Sequence, residues 1–326
     1  MRGWLVEEKG SARFVSDLPE PVLGTGELIV QVDAAAANFA DRLLIDGKHQ
    51  IRPRRPFVAG LEVAGTVIES DAVDHPVGSL VTGLVEPGSG CWAERCRCSP
   101  RDIMMVPPDL DPIDVVAINL NAQTVWIGLH HRAQVEPGEI VVVHAAAGGI
   151  GTMAVQLAVA AGARVFATCS ATKMAVPRRL GAEVVVDNRS DDWHRILAEA
   201  APDGVDIVID PVGGDLFERS LKLLRFEGRL VSVGFTSGVL PSMAANYALV
   251  KNLSLMGVFW EPYADHRRDV VDRAATEIFR LYRAEALDPC VTVIDHMENA
   301  LTRVGDVAAG RTTGKSVLVW GDQRRG

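Results

Sequence analysis

The chain has 326 residues, which at the usual domain size is room for two domains. Its 33 Lys+Arg stand against 42 Asp+Glu, a formal net charge of -9, and 48% of the residues are hydrophobic. Such a balance excludes a disordered or low-complexity chain and argues against a nucleic-acid partner, because phosphate-backbone binders concentrate Lys and Arg.

Met1 to Gly10 carries Glu7, Glu8 and Lys9 and no apolar stretch, so no signal peptide is expected. The first third reads as short strands. Leu28–Asp33 and Glu62–Glu69 alternate apolar and polar residues, and Gly and Pro punctuate densely between Gly24 and Pro87. Pro107-Pro-Asp-Leu-Asp-Pro112 reads as the exit from this region, with a helix to follow. From about Ala122 the pattern changes. Apolar strands are predicted at Ile140–His144, Arg164–Thr168, Val184–Asp187, Val205–Asp210, Arg229–Gly234 and Leu253–Phe259, with helical stretches such as Thr152–Ala161 and Leu216–Leu224 between them. Alternation of this kind predicts a parallel sheet covered on both faces, of the size of a dinucleotide-binding fold.

Arg268–Ala286 is a charged amphipathic helix. Val291–Ile294 and Ser316–Trp320 are strands too late for that sheet, and they are expected to return to the first domain. The division that follows is a discontinuous first domain, residues 1–121 and 262–326, around a second at 122–261. Ile140–Ala163 contains no Asp, Glu, Lys or Arg and is long enough to cross a bilayer. Its central Gly148, Gly149 and Gly151 instead predict a buried strand, a tight turn and a buried helix, with no membrane contact. The five cysteines, Cys91, Cys96, Cys98, Cys169 and Cys290, are an odd number without a secretion signal, which fits reduced thiols and a cytoplasmic location.

Ala145-Ala146-Ala147-Gly148-Gly149-Ile150-Gly151 lies between a predicted strand and a predicted helix. Laid on G-x-G-x-x-G, its three key positions are Ala146, Gly148 and Gly151. Gly148 lets the backbone approach a pyrophosphate and Gly151 lets helix and strand pack closely. The helix N-terminus offers unpaired N–H groups to the anion. An NAD-selective fold usually ends its second strand on Asp or Glu, where the ribose 2′-hydroxyl binds. Here that strand ends Ala167-Thr-Cys-Ser170 without an acid, and Lys173 follows. A 2′-phosphate would meet a hydroxyl and a cation, with Arg311 as a further charge, so NADPH is favoured over NADH. Lys173 also has a plainer reading, as a solvated lysine at a helix start.

These residues resemble the medium-chain dehydrogenase/reductase superfamily, and within it the zinc-free NADPH:quinone oxidoreductases. The resemblance spans nearly the whole chain. It is carried by Asn38-Phe-Ala-Asp41, Pro56-Phe-Val-Ala-Gly60-Leu-Glu62-Val-Ala-Gly65, His144-Ala-Ala-Ala-Gly-Gly-Ile-Gly151, Leu180-Gly-Ala, Asp210-Pro-Val-Gly-Gly, Gly228-Arg-Leu-Val and Gly314-Lys315. It implies an α/β protein: a GroES-like β-rich domain made from both ends of the chain, plus a Rossmann doubly wound parallel sheet. Where zinc-dependent relatives place a first cysteine and a histidine, this chain has Asn38-Phe-Ala-Asp41 and Leu61, so no catalytic zinc is expected. Cys91, Cys96 and Cys98 are three, at spacings of five and two, and read as ordinary strand residues.

Without a metal, the natural acceptors are quinones and α,β-unsaturated carbonyls, which delocalise the charge that hydride transfer gives them. The protein then supplies proximity and hydrogen bonds to the developing oxyanion. The resemblance places Asn38 and Asp41 at positions that line the substrate cleft. Asn38 either orients the acceptor or the cofactor ribose, or caps a loop; Asp41 anchors that loop. His49 stands where relatives often have a tyrosine near the nicotinamide. It is either a proton donor suited to neutral pH or a surface histidine. Thr124 is expected near the carboxamide and Asn188 at an adenosine-phosphate position. Gly234-Phe235-Thr236 and Val258-Phe259-Trp260 end the last strands, where they either make an apolar acceptor pocket or are plain core. A homodimer, paired through Leu253–Phe259, is expected by analogy. Two other readings stay open: an enoyl or alkenal double-bond reductase, and a non-catalytic NADPH-binding protein on the same scaffold.

Overall fold

The computed structural model describes residues 1–321 and divides into two compact units. The first joins Met1–Leu120 to the C-terminal stretch from Val291, and the second is Asn121–Cys290.

The first unit is mostly antiparallel sheet. Its strands are β1 (Gly3–Glu8), β2 (Ser11–Val15), β3 (Leu28–Ala36), β4 (Phe57–Val58), β5 (Glu62–Ser70), β6 (Leu80–Leu84), β7 (Arg95–Cys98) and β8 (Ile103–Met105). α1 (Phe39–Ile45) lies between β3 and β4, and α2 (Pro112–Trp126) runs from this unit into the next. In β3 the buried Leu28, Val30 and Val32 alternate with half-buried Gln31 and Asp33, as a strand with one covered face requires. Val63, Val67, Val81, Trp92 and Ile103 join Leu28 in its core.

The second unit carries a six-stranded parallel sheet. Its strands are β9 (Ile140–Val143), β10 (Arg164–Cys169), β11 (Val184–Asp187), β12 (Val205–Asp210), β13 (Leu224–Ser232) and β14 (Ser254–Gly257), in the order β11-β10-β9-β12-β13-β14. This is the Rossmann strand order, and its direction reverses between β9 and β12. The intervening helices are α3 (Gly149–Ala160), α4 (Ala175–Arg179), α5 (Trp193–Ala200), α6 (Gly214–Leu223) and α7 (Ala245–Lys251). They cover both faces, which is why β12 is buried along its whole length.

After β14 come α8 (Glu261–His266) and α9 (Arg268–Arg283). The division between the units corrects the sequence boundary at 262, since residues 262–290 belong to the second unit. α9 packs on a π-helical turn at Ile127–Arg132, and Tyr263 of α8 meets His131 of that turn edge-on at 5.8 Å. Such helix-on-helix contacts are not written in local periodicity. The chain then returns to the first unit as β15 (Val291–His296), α10 (Ala300–Ala308) and β16 (Lys315–Val319), with β16 antiparallel to β3. No helix among the described residues is long and apolar enough to cross a membrane.

Candidate active site

In the second unit β9 ends on Val143 and α3 begins at Gly149. Between them Ala145 takes φ +48°, a left-handed turn that an L-residue seldom adopts. Its carbonyl accepts the Gly148 N–H at 2.9 Å. The first intrahelical bond runs from the Thr152 N–H to the Gly148 carbonyl, so Gly149, Ile150 and Gly151 supply the helix's first N–H groups. The two glycines do different work. A Cβ on Gly151 would lie 2.2 Å from the Ala145 carbonyl oxygen, so only Gly lets this helix sit so close to the turn. A Cβ on Gly148 would meet nothing nearer than 3.4 Å and would stand in the open space over the turn, where a diphosphate would lie. Ala147 is buried beneath.

His144, which opens the motif, is a buried pillar. Its Nε2 lies 2.7 Å from Ser220 Oγ and its Nδ1 2.8 Å from Thr168 Oγ1. Ser220 donates its own hydrogen to the Leu216 carbonyl at 2.6 Å. It must therefore accept from His144, which fixes the proton on Nε2. Burial pushes the His144 imidazole down to about 4, so it is neutral at physiological pH.

At the end of β10, Ser170 is half-buried and its carbonyl accepts the Lys173 N–H at 2.9 Å. Burial lowers the Lys173 ammonium, Cys169 opposes that, and the neighbouring Arg189 adds to it. Arg178 is close enough to act on the same Cys169. A small cationic group thus stands where an NAD-selective sheet would carry an acid. Arg178, on α4, and Arg189, just past β11, were not singled out in the sequence; the pairing of β10 with β11 is what brings Arg189 near Lys173. Asn188 hydrogen-bonds through its N–H to the Cys169 carbonyl at 2.9 Å, and its buried Oδ1 has no partner among the described residues. A Gly148 open to the diphosphate, a cationic group beyond β10 and an unsatisfied Asn188 together fit NADPH.

Thr124 is buried on α2. Gly234 is half-buried, and Thr236 is tied back by its Oγ1 to the Pro211 carbonyl at 3.1 Å. Phe235 and Phe259 are 39% and 48% exposed, so both present apolar surface beyond the strand ends. Val258 and Trp260 are buried. The Trp260 indole N–H donates to Gln123 Oε1 at 2.8 Å. Arg311 belongs to the first unit, where its guanidinium pairs with Asp306 at 2.7 Å, and the structure does not bring it into one unit with Ser170 and Lys173.

In the first unit a buried polar cluster gathers on Asn38. Its Nδ2 donates to Glu62 Oε2 at 2.9 Å, and its Oδ1 accepts from Lys315 Nζ at 2.8 Å. Lys315 also donates to Glu62 Oε2 at 2.7 Å, and Glu62 Oε1 accepts the Leu120 N–H at 3.2 Å. The Asn38 N–H donates to Asp41 Oδ2 at 2.8 Å, closing the first turn of α1. Burial pushes the Asp41 carboxyl up to about 7; the Asn38 N–H resists, Glu62 adds to the rise and Lys315 opposes it. Sequence reasoning quoted Glu62 and Lys315 in motifs but gave neither a role. A buried carboxylate needs a cation, and that rule was the signal available.

His49 is buried and its Nδ1 accepts the Ile51 N–H at 3.1 Å. That bond puts the ring proton on Nε2, and burial lowers the imidazole below its ordinary value. It is therefore not a surface histidine but a neutral N–H donor.

Two family models match: one described as the alcohol dehydrogenase GroES-like domain, over residues 24–108, and one described as zinc-binding dehydrogenase, over 149–276. The zinc of the second description finds no donor set, because among the described residues no three His, Cys, Asp or Glu side chains stand together as metal ligands. Cys91 donates its S–H to the Glu62 carbonyl, and burial holds its thiol well above the ordinary value. A quinone oxidoreductase-like protein 2 from Bos taurus is 32% identical over 92% of this chain and 86% of its own. A quinone oxidoreductase from Thermus thermophilus, solved also in complex with NADPH, is 33% identical with a TM-score of 0.84, over 98% of this chain and all of that one. A mycobacterial protein solved with NADPH is 30% identical with a TM-score of 0.89, over 98% and 99% of the two chains.

Proposed function

The chain belongs to the quinone oxidoreductase family of the medium-chain dehydrogenase/reductases, and from that premise we propose that it moves a hydride from NADPH to quinones or quinone-like α,β-unsaturated carbonyls without zinc. The observation that carries the reading is the pairing of an open diphosphate turn at Gly148 with a cationic group beyond β10. When bound, NADPH supplies the hydride. The protein's own part is to hold and to solvate. Gly149, Ile150 and Gly151 offer N–H groups to the diphosphate, Lys173 with Arg178 and Arg189 takes the 2′-phosphate, and Asn188 Oδ1 accepts from the adenosine half.

On the acceptor side, Asn38 is held at both ends of its amide by Glu62 and Lys315, which leaves its second amide hydrogen for an acceptor oxygen. His49 Nε2–H donates a hydrogen bond to the oxygen of a developing enolate, whose proton then comes from water. In the second unit, Phe235 and Phe259 present exposed apolar surface beyond the ends of β13 and β14. His49 also favours a second reading, a carbon–carbon double-bond reductase, since its N–H donor stabilises the oxyanion of a developing enolate.

The chain acts as a homodimer. β14 is the last strand of its sheet, and Leu249, Val250 and Leu255 beside it are exposed. An unpaired, apolar edge of this kind is covered by a second copy in a stable protein. The five free, buried thiols suit the reducing cytoplasm. The test is cofactor selectivity: kcat/KM for NADPH and for NADH, each against 1,4-benzoquinone, a naphthoquinone and a simple enone. At least a tenfold preference for NADPH with quinone turnover supports the reading, and equal use of both cofactors, or no turnover of any acceptor, overturns it.

A further inference from the structure

The segment between α1 and β4, Asp46–Pro56, carries Lys48, Arg52, Arg54 and Arg55 against the one carboxylate of Asp46. That carboxylate is already engaged, 3.1 Å from Arg42 and 4.0 Å from Lys48. The chain as a whole has more acids than bases, and many of its exposed arginines elsewhere find them: Arg164 with Glu183 and Arg195 with Glu199 at 2.6 Å, Arg268 with Asp272 and Arg280 with Glu277 at 2.7 Å. Arg52, Arg54 and Arg55 pair with no carboxylate among the described residues. The Arg55 Nε is buried without a hydrogen-bond partner, its guanidinium lying 5.9 Å over the Phe57 ring. The segment folds back on itself. A Cβ on Gly47 would lie 3.1 Å from Arg55 Nη2 and 3.5 Å from Lys9 Cγ, so a fifth cation borders the same spot. His49 sits within this segment, tied at its Nδ1 to Ile51, the residue before Arg52.

Three guanidiniums within four residues of chain, none with an internal anion among the described residues, carry positive charge that the fold leaves uncompensated. The planar fork of Arg matches phosphate oxygens. Resting on the reductase reading above, we propose that Arg52, Arg54 and Arg55, with Lys48, hold the phosphate of a phosphorylated acceptor, so that the reducible enone is carried on a phosphate-bearing handle. The hydrogen-bond donor His49 and the handle's anchor then lie in one short stretch of chain, and anchoring the handle presents the enone to His49.

The probes are two thioesters of one enoyl group, crotonyl-coenzyme A and crotonyl-N-acetylcysteamine, of which only the first carries phosphate. The wild type is expected to favour the coenzyme A thioester by about tenfold in kcat/KM at low salt, with the preference shrinking as salt rises. R52Q/R54Q should bring the ratio of the two toward one, and R52K/R54K should restore part of it. Both positions are exposed and unpaired, so these variants fold. A wild-type ratio near one, or a ratio that R52Q/R54Q leaves intact, overturns the proposal. So does binding to phosphatidylglycerol vesicles with no discrimination between thioesters, which makes the segment a lipid contact. Turnover of a neutral naphthoquinone without any thioester preference sinks this inference alone, whereas failure with every acceptor sinks the reductase reading with it.

Discussion

Lys315 and Glu62, 253 residues apart in sequence, meet at 2.7 Å with 4% and 0% of their side chains exposed, where β16 and β5 flank β3. Two charges in so dry a place stabilise only as a pair, because either one alone keeps its full desolvation cost. K315M is expected to lose about 3–5 kcal/mol in urea unfolding, and K315M/E62L to recover at least half of that. A double variant no more stable than K315M would mean that the pair is not the unit of stability.

The two glycines of the cradle separate folding from binding. G151A, whose Cβ would lie 2.2 Å from the Ala145 carbonyl oxygen, should lower the thermal midpoint by several degrees. G148A has room, so its midpoint should stay within about a degree while NADPH affinity falls at least tenfold. Fluorescence titration of both variants beside their melting curves checks this.

The cations beyond β10 should act on one cofactor only. K173A/R189A is expected to raise KM for NADPH by about 10- to 100-fold, the weight of one or two charge-assisted phosphate contacts, with KM for NADH little changed. Equal losses for both cofactors would place the 2′-phosphate elsewhere.

Stability between pH 4 and 7 should be a balance of two opposed titrations. The folded His144 lies near 4, below its ordinary 6.5, so the unfolded chain binds the extra proton in that window. Its contribution is complete above 6.5 and lost as pH falls through about 4, on the order of 3 kcal/mol. Asp41 has the opposite sign. Its folded value near 7 is above the ordinary 3.8, so the folded chain binds the extra proton, and that stability fades as pH rises through 7. D41N should therefore expose the His144 slope, with stability falling more steeply toward pH 4 than in the wild type. Urea midpoints at several pH values read this, and parallel profiles for the two proteins would contradict it.

If His49 Nε2–H stabilises a developing enolate by hydrogen bonding, H49F should lower kcat for an enone by about 100-fold and change quinone turnover far less. H49Y, which restores an O–H donor, should recover part of the enone rate. Equal losses with both acceptor types would assign His49 a packing role.

The parts legible in the sequence were those built from neighbours in the chain. The strand at Val184–Asp187, the strand at Val205–Asp210 and the turn ending at Gly151 depend on local periodicity and local sterics, and they are found where the pattern puts them. Long-range partners were not legible. Nothing near Glu62 announces Lys315, and nothing near Trp260 announces that Gln123 will take its indole N–H into the core. Arg311 looked like a free cation at a turn, but Asp306, five residues earlier at the end of a helix, takes it. His49 fell between: its residue type pointed to proton chemistry, while its burial and its bond to the Ile51 N–H needed the fold.

The central claim is hydride transfer from NADPH to a conjugated acceptor without zinc. Its most direct test follows NADPH oxidation by absorbance with a naphthoquinone, using enzyme dialysed exhaustively against a chelator and assayed for metal by mass spectrometry. Turnover at the untreated rate is expected, with far less than one metal ion per chain. Activity that disappears with the metal and returns on adding zinc would contradict it.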